Sequence, residues 1–369
     1  MMTPSDDKIS SFQLAVFIYN VVLGVGIITL PATLTKAVNQ DAWIVALLAG
    51  AINLILLYFM YSVGKKYSSY GFIGTLRKLF GKFFGTLLAL PVAAYYVIFS
   101  GLEIRIFSET IKVYLLNNTP IEFIIIPLMI LAVFLVRSGI EPITRFYEAI
   151  TPVSILIIVS ILIAPLPHSD FTNIRPIFSE PLTSYLTGIK SGLFAFAGYE
   201  VYLIIFPFIR KPKEAYKAAA IPIIMISGLY AVIIIECIAK LGVEQTQSLI
   251  YPTLSLLKAS SVPGAFIERI EGLLLSLWVI FVFTTVSAVM YGFSVIIGDI
   301  INQKKRKHIV AIAIPIMYIF SLSGGSVVEL FDMVDRLSTY FGLYTIVFIP
   351  IIMFIFSLLR GKGDKKIES

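Results

Sequence analysis

Long runs of uncharged, mostly apolar residues alternate along this chain with short clusters of Lys, Arg, Asp and Glu. Crossing about 30 Å of hydrocarbon takes roughly 20 helical residues. Ten stretches can be read as such spans. The first lies between Lys8 and Lys36, the second between Asp41 and Lys65, and the third between Lys82 and Glu103. The fourth ends at Arg137 with Glu122 near its start, and the fifth runs from Glu148 to about His168. The sixth lies between Lys190 and Arg210 around Glu200, and the seventh runs from Lys217 to Lys240 around Glu236. The eighth covers 272–298, the ninth 309–328 and the tenth 337–359. The pattern predicts an all-α integral membrane protein, one transmembrane unit over residues 1–369 with no separate soluble domain. The stretches 64–81, 165–188 and 241–271 read as loops, with an interfacial helix around Phe72, Ile73, Leu76, Leu79 and Phe80.

Two of these runs are interrupted by glycine. In the first stands Leu23-Gly24-Val25-Gly26-Ile27-Ile28-Thr29-Leu30-Pro31, and in the sixth Gly192-Leu193-Phe194-Ala195-Phe196-Ala197-Gly198-Tyr199-Glu200. At membrane depth every backbone N–H and C=O needs a partner, so an unwound helix there has to line a protected cavity. Broken helices at matching places in two halves of a chain point to a transporter-type binding site. With five crossings between them the two breaks run antiparallel. The expected architecture is a five-plus-five inverted repeat, repeat one about 9–168 and repeat two about 186–360, with helices 1 and 6 broken.

Charge gives the orientation. Lys65, Lys66, Arg77, Lys78 and Lys82 follow segment two, Arg137 and Arg145 follow four, and Arg210, Lys211, Lys213 and Lys217 follow six. Lys304 to Lys307 follow eight, and Arg360, Lys362, Lys365 and Lys366 form the tail. Cytoplasmic loops carry the basic excess, so both termini are expected in the cytoplasm of a multi-pass cell-membrane protein. The opposite loops carry Asp170, Glu180, Glu244, Glu329, Asp332 and Asp335. The chain is 58% hydrophobic and only 14% charged, and its net charge of +7 is a topology signal facing anionic membrane lipid, with no nucleic-acid partner implied. The first span is too long for a signal-peptide core and is expected to stay in the protein. The single cysteine, Cys237, reads as a buried structural thiol.

The candidate chemistry follows from the breaks. At Gly24-Val25-Gly26 a ligand can approach bare backbone, and the helix that restarts there offers free N–H groups and a positive dipole end to a carboxylate. Close helix packing through small residues is the plainer alternative. Around Phe194 to Ala197 freed carbonyls suit an ammonium group, with Phe194, Phe196 and Tyr199 as apolar walls. Glu200, ionisable and inside a span, reads as a coupling element. Glu103 and Arg105 are expected at the outer interface as snorkelling charges, and Glu236 with Lys240 as an ordinary i,i+4 pair. Tyr95, Tyr96, Thr284, Thr285 and Ser287 place hydroxyls at membrane depth, where such groups often bond back to their own helix. No metal-binding, phosphate-loop or nucleophile-elbow motif occurs, and the two histidines, His168 and His308, fall at segment ends. The sequence gives no reason to expect an enzyme, a metal or a cofactor.

Laid out in this way, the chain resembles the endospore germination permeases, the B subunits of nutrient germinant receptors, within the amino acid–polyamine–organocation transporter superfamily. The likeness rests on Ile9-Ser10-Ser11-Phe12-Gln13, the Leu23-to-Pro31 break, Asp41-Ala42-Trp43-Ile44, Glu103-x-Arg105 and Asn173-x-Arg175-Pro176. It continues through Gly198-x-Glu200, Tyr251-Pro252-Thr253 and Phe266-Ile267-Glu268-Arg269-Ile270-Glu271. The resemblance implies a ten-helix inverted-repeat permease in the spore inner membrane, sensing a small nutrient, an amino acid first of all, with an A subunit and a lipoprotein C subunit. It carries ligand binding to Gly24, Gly26, Tyr95, Ala197 to Glu200, Thr284 and Thr285. Some proton-coupled relatives place a lysine in segment five, where this chain has none. A proton- or sodium-coupled amino acid transporter is the alternative reading, and a water or ion pore through the same cavity stays compatible with both.

Overall fold

The computed structural model describes residues 7–24, 26–260, 270–303 and 308–360. Val25, most of the Phe266–Glu271 stretch, the basic cluster Lys304 to Lys307 and the tail beyond Arg360 therefore lie outside the described residues.

The Ser10-Ser11-Phe12-Gln13 stretch turns out to be a helix start. The Gln13 N–H donates to Ser10 Oγ at 3.1 Å and the Ser10 N–H to Gln13 Oε1 at 2.9 Å, a reciprocal cap that opens α1 (Ser11–Val22). Helix α1 ends at Val22 with Leu23 as its cap, and α2 (Gly26–Val38) begins at the second glycine of the pair. A short 3-10 turn, Asn39–Asp41, with Asn39 left-handed at φ 47°, reverses the chain into α3 (Ala42–Lys66), which packs back on α2. There follow α4 (Gly71–Phe80), α5 (Lys82–Tyr114), α6 (Glu122–Arg137) and α7 (Ile140–Ile163). The second half holds α8 (Leu182–Phe194), the short α9 (Tyr202–Ile205), α10 (Ala215–Leu241), α11 (Val243–Ser248) and α12 (Pro252–Ala259). It ends with α13 (Ile270–Ile300), α14 (Val310–Ser321), α15 (Val327–Leu337) and α16 (Ile349–Leu359), the last two joined by a π-helical stretch over 338–348.

The protein is all-helical and multi-pass. Among the described residues six helical runs are long and apolar enough to cross a membrane, seven if the pair Leu182–Phe194 and Tyr199–Phe208, bent by 58°, is one span. Helices Ser11–Val22 and Val310–Ser321 are apolar but shorter. Outward-facing positions on the shorter helices are apolar: Phe123, Ile130 and Phe134 on α6, and Ile312 and Ile319 on α14, are all exposed.

Helices α1, α3, α5, α10 and α13 form the centre, with α1 packed against α7, α10 and α13. The sole β pairing among the described residues ties the two halves together at the end opposite the α2 C-terminus. Ile9 N–H donates to Phe208 C=O at 2.8 Å and Arg210 N–H to Ile9 C=O at 2.9 Å. At the other end the loop after α7 is strapped down by buried Asp41, which accepts from the N–H groups of Phe178 and Ser179 and from the Tyr185 hydroxyl at 2.6 Å. In the same loop Asp170 accepts from the Thr172 hydroxyl and N–H, which holds its carboxyl below the usual carboxylate range.

Candidate functional site

The end of α1 is held by side chains from two other helices. Thr284 Oγ1 donates to the Asn20 carbonyl at 2.9 Å, Thr285 Oγ1 to the Val21 carbonyl at 2.8 Å, and Tyr230 OH to the Val22 carbonyl at 3.2 Å. These three carbonyls are among those a helix C-terminus leaves without intrahelical partners. Tyr230 OH also meets the Ala195 carbonyl at 3.0 Å, so one hydroxyl bridges the ends of α1 and α8. Beyond Phe194 the second chain segment turns through 3-10-type bonds, Phe196 N–H to Leu193 C=O and Ala197 N–H to Phe194 C=O, and reaches Gly198 at φ 104°. That left-handed conformation admits glycine most readily. A Cβ at Gly198 would also stand 2.5 Å from Val21 Cγ1, so the two chain breaks touch there.

A cavity of about 580 Å³ opens where the breaks meet. Its floor is Val21, Gly24, Gly26, Ala195, Ala197 and Thr285, its wall Phe99, Glu103, Ile106 and Phe194, and its mouth carries Lys36, Lys190, Asp332 and Asp335. The glycines are needed for space. A Cβ at Gly24 would lie 2.6 Å from Glu103 Oε1, and one at Gly26 2.8 Å from Tyr230 OH.

Of the residues expected from the sequence, Gly24, Gly26, Phe194, Ala197 and Thr285 line this cavity. Val25, between the two glycines, lies outside the described residues. Thr284, about 100° round α13 from Thr285, turns to Asn20 and does not line the cavity. Tyr95, Phe196 and Gly198 lie one layer deeper. Tyr95 stacks on the cavity residue Phe99 at 5.5 Å between ring centres, and Phe196 packs edge-on to Tyr230 at 5.6 Å. Glu200 is 2% exposed, and its Oε2 accepts from the Gly198 N–H at 2.7 Å while Oε1 meets no partner among the described residues. Among the carbonyls from Phe194 to Ala197, that of Phe194 accepts from the Ala197 N–H, that of Ala195 from Tyr230 OH and that of Phe196 from the Tyr199 N–H.

Two readings are corrected. Glu103 is not a snorkelling charge at the end of a span: α5 runs on to Tyr114, and Glu103 is 2% exposed in the cavity wall with neither oxygen partnered among the described residues. A charge at the end of an apolar run reads as a boundary in the sequence, and only the length of α5 places Glu103 in the cavity wall. Its neighbour Arg105 does make the i,i+4 pair, with Glu109 at 2.7 Å, and reaches toward the Ser321 and Gly324 carbonyls. Glu236 makes no ion pair with Lys240; it is 2% exposed and both its oxygens lack partners among the described residues. Cys237 is a buried free thiol.

A chain-break cavity inside an all-helical bundle defines a membrane protein of transporter-like fold. Solved structures agree on the fold. Mhp1, a nucleobase-cation-symport-1 family transporter in a closed conformation with bromovinylhydantoin bound, aligns at TM-score 0.73 and 14% identity, over 97% of this chain and 82% of that one. MhsT in complex with L-phenylalanine aligns at TM-score 0.67 and 16% identity, over 98% and 91%. The spore germination protein family model matches residues 8–325, and the chain belongs to that family. Among its relatives, spore germination protein YndE of Bacillus subtilis (strain 168) is 28% identical over 366 residues, 99% of this chain and 100% of YndE.

Proposed function

We propose that this chain is the nutrient-sensing, permease-like subunit of a spore germinant receptor, binding a small nutrient of the amino acid class in the cavity between its two chain breaks. The observation that carries the reading is the meeting of bare backbone at Gly24 and Gly26 with the cavity wall, in a chain of the germination family. The α2 N-terminus offers its first N–H groups to a carboxylate. In this reading α1 with α2, and the bent pair 182–208, are the broken first and sixth helices of a ten-span, five-plus-five inverted repeat. Both termini are cytoplasmic, the cavity mouth faces away from the basic loops, and the membrane is the spore inner membrane. Partner A and C subunits receive the signal, and Glu200, just beyond the second break, couples occupancy to it.

The alternative, a coupled amino acid transporter, uses the same cavity. The hydroxyls of Thr284 and Thr285 bond the Asn20 and Val21 carbonyls, which ties the eighth span to the end of the first in either reading. The test is radiolabelled amino acid uptake into liposomes carrying the purified chain, beside equilibrium binding to the same protein. Saturable binding without stoichiometric uptake, under imposed sodium or proton gradients, is the expected result. Sustained, gradient-driven uptake would overturn the receptor reading in favour of transport.

A further inference from the structure

Resting on the cavity reading above, the geometry points to Glu103 as the group that holds a ligand's ammonium, which makes the site selective for amines over hydroxy acids, sugars and nucleosides. A buried carboxylate without a partner is costly, and such groups are found paired, coordinated or in use. Glu103 is 2% exposed, both its oxygens are without partners among the described residues, and it lines the cavity. Three backbone carbonyls at the end of α1 already carry a side-chain donor, whereas Glu103 carries none among the described residues. Asn20, Val21 and Val22 carbonyls accept from Thr284, Thr285 and Tyr230, and the Ala195 carbonyl accepts from Tyr230 as well. Arg105, two residues along α5, pairs with Glu109.

Placement makes this an ammonium site beside a carboxylate site. Glu103 Oε1 lies 2.6 Å from the point where a Gly24 side chain would begin, and α2 starts two residues later at Gly26. An α-amino acid keeps its ammonium and carboxylate on one carbon, so a ligand whose carboxylate meets the first N–H groups of α2 brings its ammonium to the Gly24 side, under Glu103. The hydroxyl of Thr285, 3.3 Å from the same point, closes the other flank. Gly24 is bare in this arrangement because the carboxyl of Glu103 takes the space a side chain would fill. Phe99, Ile106 and Phe194 leave an apolar pocket for the ligand's own side chain.

The experiment uses the full chain purified in detergent, screened by thermal shift and calorimetry against the standard L-α-amino acids, each beside its α-hydroxy acid, and against D-glucose and inosine. Wild type should bind one or more amino acids, with the matching hydroxy acid at least tenfold weaker. Glu103→Gln should weaken the amino acid by about 10- to 150-fold, the scale of a hydrogen bond to a charged group. Its melting temperature without ligand should equal or exceed that of wild type, since an uncompensated buried charge is removed; Glu103→Asp tests the same point with charge retained and should recover part of the affinity. A hydroxy acid binding as well as its amino acid, or Glu103→Gln keeping affinity within about threefold, overturns the assignment. Binding of glucose or inosine alone, unchanged in Glu103→Gln, overturns it while leaving the nutrient-receptor reading standing. No binding of any probe to wild type would remove both.

Discussion

The bridge from Tyr230 to both chain breaks makes a prediction that a double-mutant cycle can decide. Tyr230 OH contacts the carbonyls of Val22 at 3.2 Å and Ala195 at 3.0 Å, and a Cβ at Gly26 would stand 2.8 Å from the same oxygen and 3.2 Å from both Tyr230 Cζ and Ala195 O. Gly26→Ala should therefore cost stability by overpacking, about 1–3 kcal/mol. Tyr230→Phe removes one hydroxyl proton shared between two acceptors, so it should cost one bond's worth, about 0.6–1.5 kcal/mol inside a membrane. In the double variant the oxygen nearest the new methyl is gone. Its cost should fall short of the sum by about 1 kcal/mol or more, where independent sites add within about 0.5 kcal/mol. Reversible unfolding of the four proteins in mixed detergent and SDS micelles measures each term. Strict additivity would refute the claim that Tyr230 shapes the space around Gly26, and a double variant worse than the sum would reverse its sign.

The remaining predictions concern the floor of the cavity and the segment beneath it. Thr285→Val should raise the nutrient concentration for half-maximal germination by roughly 5- to 50-fold, while Thr284→Val, which faces Asn20, should leave it within about threefold; equal dose responses in spores with equal protein levels would contradict this. Glu200→Gln keeps the acceptor facing the Gly198 N–H but removes the charge, so germination should slow while nutrient binding stays within about threefold; equal loss of both would put Glu200 in the nutrient site. Gly198→Ala, placed at φ 104° with its Cβ 2.5 Å from Val21, should lower protein abundance on immunoblots, by backbone strain of about 1–3 kcal/mol plus the clash; normal abundance would contradict it.

Every apolar run read in the sequence holds helix among the described residues, and the two glycine-broken motifs fall where helices stop and restart. These features were legible because they are local: apolar length sets a helix, and glycine spacing marks where a side chain is excluded. What was lost depended on contacts between segments. A charge such as Glu103 marks the end of an apolar run by composition alone, yet α5 spans 33 residues, about 50 Å, and carries Glu103 within its length. Glu236 and Lys240 share one face of α10, as the i,i+4 spacing expects, but Glu236 is buried in the bundle and no ion pair forms between them. The Ser10–Gln13 cap has a local signature, a serine three residues before a glutamine ahead of an apolar run. Nothing in the sequence indicated that Tyr230 would bridge two carbonyls 173 positions apart (195 − 22).

The pairing of Ile9 with the backbone on either side of Ile209 has a mechanical meaning. The chain leading into α1 and the chain leaving the second break are stitched by two backbone bonds, and Ser11 Oγ adds a third tie to Glu214 at 2.6 Å. A rigid rod pulled at one end moves at the other, and α1 is such a rod, twelve residues long, with its far end in the cavity floor. In the proposed receptor, a tilt of α1 favoured by a bound nutrient would reach the segment from Arg210 to Lys217, which leads into α10. The end of α1 that lines the cavity and the exposed basic residues Arg210, Lys211 and Lys213 are thereby two ends of one linkage.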